Sequence, residues 1–428
     1  MNALARQIQE EIRLRGPISF ARFMELALYA PGLGYYEQRR TIGRDGDFFT
    51  SVSVGPLFGQ LLAFQFAQWM DLDCPSGVVQ FIEAGPHNGV LAGDILAWTN
   101  RYRPDLFARL EYWLLDASPT RRAWQEETLR SWQPKVKWAD DIASLAARPV
   151  AGIIFSNEFL DALPVHCLAW SAAWQQWWEG CVGVEGEDFF WEWHPPAAEL
   201  AGHLPNIPSE LARALPDGFS LEVCPAAVAW WKEAASSLGR GKLLTLDYGL
   251  TSEERFRPER SKGTLRAFTR HHASTDLLSQ PGEQDLTAHV NFSALMEAGH
   301  AAGLRTEGLI GNDLIEGKGP SSPRPSSPRR GRINLSDGPQ SPSSDLFHGG
   351  RRRFPLPRGE GQGEGEPYIP TESFRPMRQS KFLTEILSRT RRSEEVFAPW
   401  DEKKTRQFQT LTHPEHLGHK FQVLVQAR

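Results

Sequence analysis

Apolar positions recur along this chain first at helical spacing, then in continuous runs, then in alternation. Leu4, Ile8 and Ile12 form one face of an N-terminal helix that Gly16-Pro17 stops. Residues 57–70, LFGQLLAFQFAQWM, are apolar on most faces and broken only by glutamines, which predicts a buried helix. Compact apolar runs then alternate with helical segments: VVQFIEA (78–84), LEYWLLDAS (110–118), VKWADDI (136–142) and AGIIFSNEFLDAL (151–163). That alternation predicts an α/β fold, a parallel sheet with helices on both faces. Between about 165 and 225 the runs shorten and alternate, as in antiparallel hairpins, which predicts an inserted cap or substrate region. KLLTLDYG (242–249) resumes the sheet, residues 286–304 turn helical after Val290, and SKFLTEIL and HKFQVLVQA predict a final helix and strand.

These changes of pattern divide the chain into an N-terminal helical extension with a glycine-rich loop (1–75), a nucleotide-binding core (76–164), the insertion (165–225) and a continuation of the core (226–316). A low-complexity segment (317–378) and a closing helix and strand (379–428) follow. Residues 317–366 are dominated by Pro, Ser, Gly and Arg, cannot bury enough apolar surface to offset their ordering entropy, and are expected to be disordered.

Composition narrows the classes. The net charge of −5 over 428 residues gives no general nucleic-acid or anionic-membrane footprint. The four cysteines are scattered without a CxxC pair, which argues against a zinc knuckle or disulfide framework; no metal is expected. MNALARQIQEEIRLRG has no apolar signal region and no run approaches a membrane span, so a cytoplasmic location is expected.

Two stretches carry the candidate chemistry. In FIEAGPHNGVLAGDIL (81–96), a strand rises to Glu83, a turn follows with Gly85, His87 and Gly89, and a helix begins. Strand, glycine turn and helix is how α/β proteins hold nucleotides, but GPHNG lacks the GxGxxG pyrophosphate fingerprint; a sulfonium nucleoside needs no phosphate cradle. Asp116, at the end of the next strand, is placed to accept the hydroxyl hydrogen bonds of a ribose, with Ser118 beside it. Each sign has a bland alternative, a tight turn or a helix cap. In SNEFLDALPV (156–165), Asn157, Glu158 and Asp161 follow the fourth strand; on a helical turn the two carboxylates would share a face and could clamp a guanidinium or work as an acid/base pair. An N-cap with a surface acid is the alternative. GRDGDFFTSVSVGPLFG (43–59), with Asp47, Thr50 and Ser51, reads as a lid or substrate loop or as ordinary turn chemistry. LLTLDYGL (243–250), GTLRAFTRHH (263–272) and PGEQDLTAHVNF (281–292) read as a set of active-site loops, with Asp247, Tyr248, Arg266, Asp285, Thr287 and His289, although a lone histidine such as His289 is more often structural.

Taken in order, GPISFARFMELALYAPGLGYY, GDFFTS, EAGPHNGVLAGDIL, SNEFLDALPV, DYG, GTLRAF and DLTAHVNF resemble the MidA-like family of S-adenosylmethionine-dependent methyltransferases over about 5–310 and 379–428. One mitochondrial member of that family is a complex I assembly factor that methylates a protein arginine. The resemblance implies a class I methyltransferase sandwich, S-adenosyl-L-methionine as cofactor, and a protein partner that offers an arginine, with a homodimer left open. It assigns Glu158, Asp161 and Asn157 to the acceptor. Glu83, Gly85, His87, Gly89, Asp116, Ser118, Asp47 and Thr50 fall to the cofactor. Three positions depart from the family pattern: His87 for the middle glycine of the turn, Asp116 for a glutamate and Asn291 for an aspartate. If position 87 needs positive φ, His should weaken cofactor binding rather than abolish it. Two rivals remain at this level: a nicotinamide-dependent oxidoreductase, and a non-catalytic assembly protein on the same scaffold.

Overall fold

The computed structural model describes residues 2–38, 50–145, 148–269, 272–307, 376–390, 396–397 and 400–428. The low-complexity stretch 317–366 therefore lies outside the described residues.

Four parallel strands carry the compact apolar runs: β1 (Val79–Ala84), β2 (Leu110–Leu115), β3 (Val136–Ala139) and β4 (Val150–Asn157). The insertion supplies β5 (His166–Ser171), β6 (Gln176–Glu185), β7 (Asp188–His194) and β8 (Ser220–Val223). The core resumes with the long β9 (Leu238–Leu250) and ends on β10 (Phe421–Ala427). In space the central sheet runs β3-β2-β1-β4-β9-β10, closed by the two-residue edge Arg305–Thr306. The strands from β3 to β9 pair in parallel, whereas β10 lies antiparallel between β9 and that edge.

Parallel strands need helical crossovers, and the helices cover both faces. Helices α3 (Leu57–Asp73), α4 (Val90–Tyr102), α8 (Gln379–Thr390) and α9 (Glu402–Thr412) pack on one side, around Phe58, Phe66, Phe81, Phe155 and Phe382. On the other, α6 (Pro225–Ser237) and α7 (Phe292–Ala301) pack around Trp231, Phe292 and Ile154. Helix α5 (Pro119–Thr128) follows β2 with Ser118 as its N-cap. The glutamines of α3 did not make it amphipathic: it is buried on most faces, and Gly59 allows α4 to approach so closely that a Cβ there would lie 2.6 Å from Asp94.

The insertion is an antiparallel sheet, as its alternation predicts. Its β6 also pairs with Ile18–Ser19, the short link between α1 (Ala3–Arg15) and α2 (Phe20–Tyr29). The N-terminal helices thus bury Phe20, Phe23 and Met24 with residues of this sheet, in a cluster separate from those flanking the central sheet.

Candidate active site

The carboxyl ends of β1, β4 and β9 open into a cavity of about 930 Å³. On the β1 side, Glu83 is buried and accepts a 2.6 Å hydrogen bond from the Tyr112 hydroxyl. Burial pushes its carboxyl up to about 7. Beyond it Gly85, His87 and Gly89 take φ values of 69°, 46° and 81°, so every second residue of the turn is left-handed. Gly85 is required twice over: by this conformation, and because a Cβ would stand 2.6 Å from the Phe159 ring. The Gly89 N–H donates to the Pro86 carbonyl at 2.8 Å, and α4 starts at once, with Val90 and Leu91 on the cavity wall.

His87 therefore occupies a backbone position that suits glycine. Its carbonyl accepts from Gln125 Nε2 at 2.9 Å, and its ring lies 6.3 Å from that of Trp124. Burial holds its pKa below the ordinary histidine value. Its buried Nδ1 has no hydrogen-bond partner among the described residues.

Asp116 and Ser118 stand apart from this lining. The Asp116 carboxylate accepts from Arg121 Nη2 at 2.6 Å, from Gln125 Nε2 at 2.8 Å and from the Ser118 amide at 3.0 Å. Arg121 also bonds Glu37 at 2.7 Å, and the Ser118 hydroxyl donates to the same glutamate at 3.0 Å. Arg121 and Glu37, which come from two separate segments, carry no signal in the sequence that would place them here. Thr50 lines the cavity and its hydroxyl oxygen accepts from the Ser53 amide; Asp47 lies outside the described residues.

On the β4–β9 side the helical turn expected to carry Glu158 and Asp161 does not form. Glu158 itself is left-handed, with φ 51°, and its N–H donates to the Leu246 carbonyl at 3.0 Å. The next two amides, of Phe159 and Leu160, donate to Asp247 Oδ2 at 3.2 and 2.9 Å. A side chain from the neighbouring strand thus satisfies amides that a helical ladder would have used. Glu158 and Asp161 still both line the cavity, brought there by a strained turn rather than a helix face. Glu158 Oε1 accepts from the Ser51 amide at 3.0 Å and from Asn157 Nδ2 at 3.2 Å. Asn157 Oδ1 is buried with no hydrogen-bond partner among the described residues.

Asp285 completes the acidic floor and accepts from the Tyr36 hydroxyl at 2.7 Å; Tyr36 carried no signal beyond its place after PGLG. Burial pushes Glu158 up to about 8, with repulsion from Asp247 and Asp285 adding to it. Burial, then repulsion from Asp247, Asp285 and Glu158, carries Asp161 well above the carboxylate range. His289 faces the same cavity, held down to about 4 by burial and by Arg260 and Arg266. Asn291, a departure from the family pattern, caps α7 through its side chain.

A carboxylate at the glycine turn disfavours a pyrophosphate and suits a cationic sulfonium nucleoside. With this strand order and one antiparallel strand beside β9, fold and site define a class I S-adenosylmethionine-dependent methyltransferase. Residues 61–310 match the family described as "Putative S-adenosyl-L-methionine-dependent methyltransferase", and the chain belongs to that family. A COG1565 superfamily member from Burkholderia thailandensis, solved bound to S-adenosyl-homocysteine, is 29% identical with a TM-score of 0.71, covering 100% of this chain and 92% of that one. Among curated relatives, protein arginine methyltransferase NDUFAF7 of Homo sapiens, mitochondrial, is 28% identical over 328 residues, covering 70% of each chain. The Drosophila melanogaster homolog of that enzyme, also mitochondrial, is 27% identical over 326 residues, covering 70% of this chain and 71% of its own. These relatives are named as mitochondrial, which overturns the cytoplasmic location expected from the N-terminus. No helix among the described residues is long and apolar enough to cross a membrane.

Proposed function

We propose that this methyltransferase acts on an arginine side chain of a protein. The observation that carries the reading is the floor of the cavity, where Glu158 and Asp161 are raised by burial and by repulsion from neighbouring carboxylates, Asp285 among them. A guanidinium among them would relieve that repulsion and satisfy several acceptors at once, Asn157 Oδ1 included. Curated relatives named as protein arginine methyltransferases support the same acceptor.

Bound S-adenosylmethionine supplies an electrophilic methyl group. For it we propose Glu83, Gly85, His87 and Thr50 as the wall, Gly89 as the turn residue that starts α4, and Asp116 with Ser118 as the ribose acceptors, one Asp116 oxygen being given up by Arg121. The protein's main work is positioning, since a displacement needs the nucleophile in line with the bond that breaks. Glu158 and Asp161 would hold the guanidinium and draw its charge toward the nitrogens they bind, leaving the third nitrogen to attack. Once the attacking nitrogen had taken the methyl group, with the thioether as leaving group, it would be acidic, and a neighbouring carboxylate would take its proton. A carboxyl that burial has pushed up to about 8 is suited to take it.

The test is to incubate the protein with methyl-tritiated S-adenosylmethionine and a proteome extract, hydrolyse the products and separate the amino acids. Label in methylarginine is expected. Label confined to lysine, histidine or carboxyl esters would refute the reading.

A further inference from the structure

The cavity has a second charged zone, opposite in sign to its floor. Arg257, Arg266, Arg378 and Lys420 line the mouth as exposed side chains, with Arg260 half-buried among them. Arg266 and Arg378 donate to the backbone carbonyls of Leu265 and His419, bonds that orient a guanidinium without neutralising it. None of the five has a carboxylate within 4 Å among the described residues. Besides the acids already described deeper in the cavity, Glu254 and Glu415 also line it. The Glu254 carboxylate is engaged in the capping box at Thr251, and the nearby charges of Arg378 and Arg257 help to lower its pKa. The mouth therefore remains cationic, on a chain whose net charge is −5.

Topology says which ligand meets this rim. Arg257, Arg260 and Arg266 follow β9, Arg378 belongs to a short strand paired with β10, and Lys420 immediately precedes β10. The glycine turn follows β1, on the far side of β4. The cations thus surround the acceptor half of the cavity. A bare arginine approaching the acidic floor would be repelled at such a mouth, unless it arrives among carboxylates of its own.

We propose that the rim selects a target arginine flanked by acidic residues, so that the partner is an acidic segment carrying one arginine. This rests on the arginine reading above. The rim would hold the flanking carboxylates while the guanidinium passes inward, a charge pattern complementary at both depths.

Two fluorescent peptides test it by anisotropy with the full chain in the presence of S-adenosyl-homocysteine. Both carry glutamine in place of the arginine; one has Asp and Glu flanks, its twin Asn and Gln flanks. The acidic peptide should bind roughly tenfold tighter at low salt, and the advantage should shrink as ionic strength rises. It should vanish in the Arg257→Glu, Arg378→Glu double variant, with S-adenosyl-homocysteine affinity as the check that the variant folds. Equal binding of the twins, or a preference that survives the double variant, would overturn the proposal. So would displacement by short single-stranded RNA at lower concentration than by unlabelled acidic peptide, which would make the rim a phosphate-binding surface. Because these peptides lack arginine, the rim can stand while labelling shows a different acceptor, and can fail while methylarginine forms.

Discussion

The β1 half of the cavity and the β4–β9 half are made of different things. The first is shaped by backbone: three alternate left-handed residues, a helix that starts without delay, and one carboxylate, Glu83. The second is shaped by charge: Glu158 and Asp161 on a turn held by Asp247, with Asp285 from a separate strand, under a rim of arginines. A backbone-built half is broken by bulk and tolerates changes of charge; a charge-built half does the reverse. The two meet where Gly85 presses on Phe159.

The largest expected effect separates them cleanly. Glu158→Gln keeps the shape of its turn and removes the charge, so turnover should fall at least about a hundredfold while calorimetric affinity for S-adenosylmethionine stays within about threefold. Equal losses in both would reduce Glu158 to a structural part. Gly85→Ala should break the contrast instead, because the new methyl group meets Phe159 in a left-handed turn. We expect destabilisation of about 2–4 kcal/mol in denaturant titrations, with cofactor affinity and turnover falling together.

Next in size is the response to pH. Glu158 must be ionised to bind a guanidinium, and burial has pushed it up to about 8, so kcat/KM should climb with pH, reach half its maximum near 8 and level off about one unit higher. The bound cation favours the carboxylate, so kcat should level off at lower pH than kcat/KM. Stability runs the other way: a carboxyl raised in the folded state favours folding at low pH, and that contribution is lost as pH rises through about 8. Glu158→Gln removes the loss, so above pH 8 the variant should melt a few degrees higher than the parent. A variant that melts lower at that pH would contradict the assigned burial cost. The smallest effect belongs to His87. Replacement by Gly relieves a left-handed side chain, and affinity for S-adenosylmethionine should improve only severalfold, whereas Val, β-branched at φ 46°, should cost tenfold or more.

The strand order's parallel core and the glycine turn were legible because each is local: an apolar run, then Gly85 and Gly89, then helical spacing. The carboxylate turn was legible in content and misread in form. Nothing in SNEFLDALPV says that Asp247, 87 residues beyond Leu160, satisfies its amides and so dispenses with a helix. Asp116 was visible at its strand end, but its partners Arg121 and Glu37 meet it only through folding. Of the rim only Arg266 carried a signal, in GTLRAF; Arg257 and Arg378 look like ordinary surface residues until β9 and β10 lie side by side.

That adjacency also sets a timetable for synthesis. β9 ends at Leu250, yet its neighbour β10 spans Phe421–Ala427 and lies inside the sheet rather than at its rim. At ribosomal speeds of about 5–20 residues per second, β9 waits roughly ten to thirty seconds for its partner, an apolar strand with one side unpaired. Throughout that interval a nascent chain presents a ready template for any other extended segment. A newly made molecule should therefore depend on chaperones until its last strand is out, and one cut short before Phe421 should aggregate rather than misfold quietly.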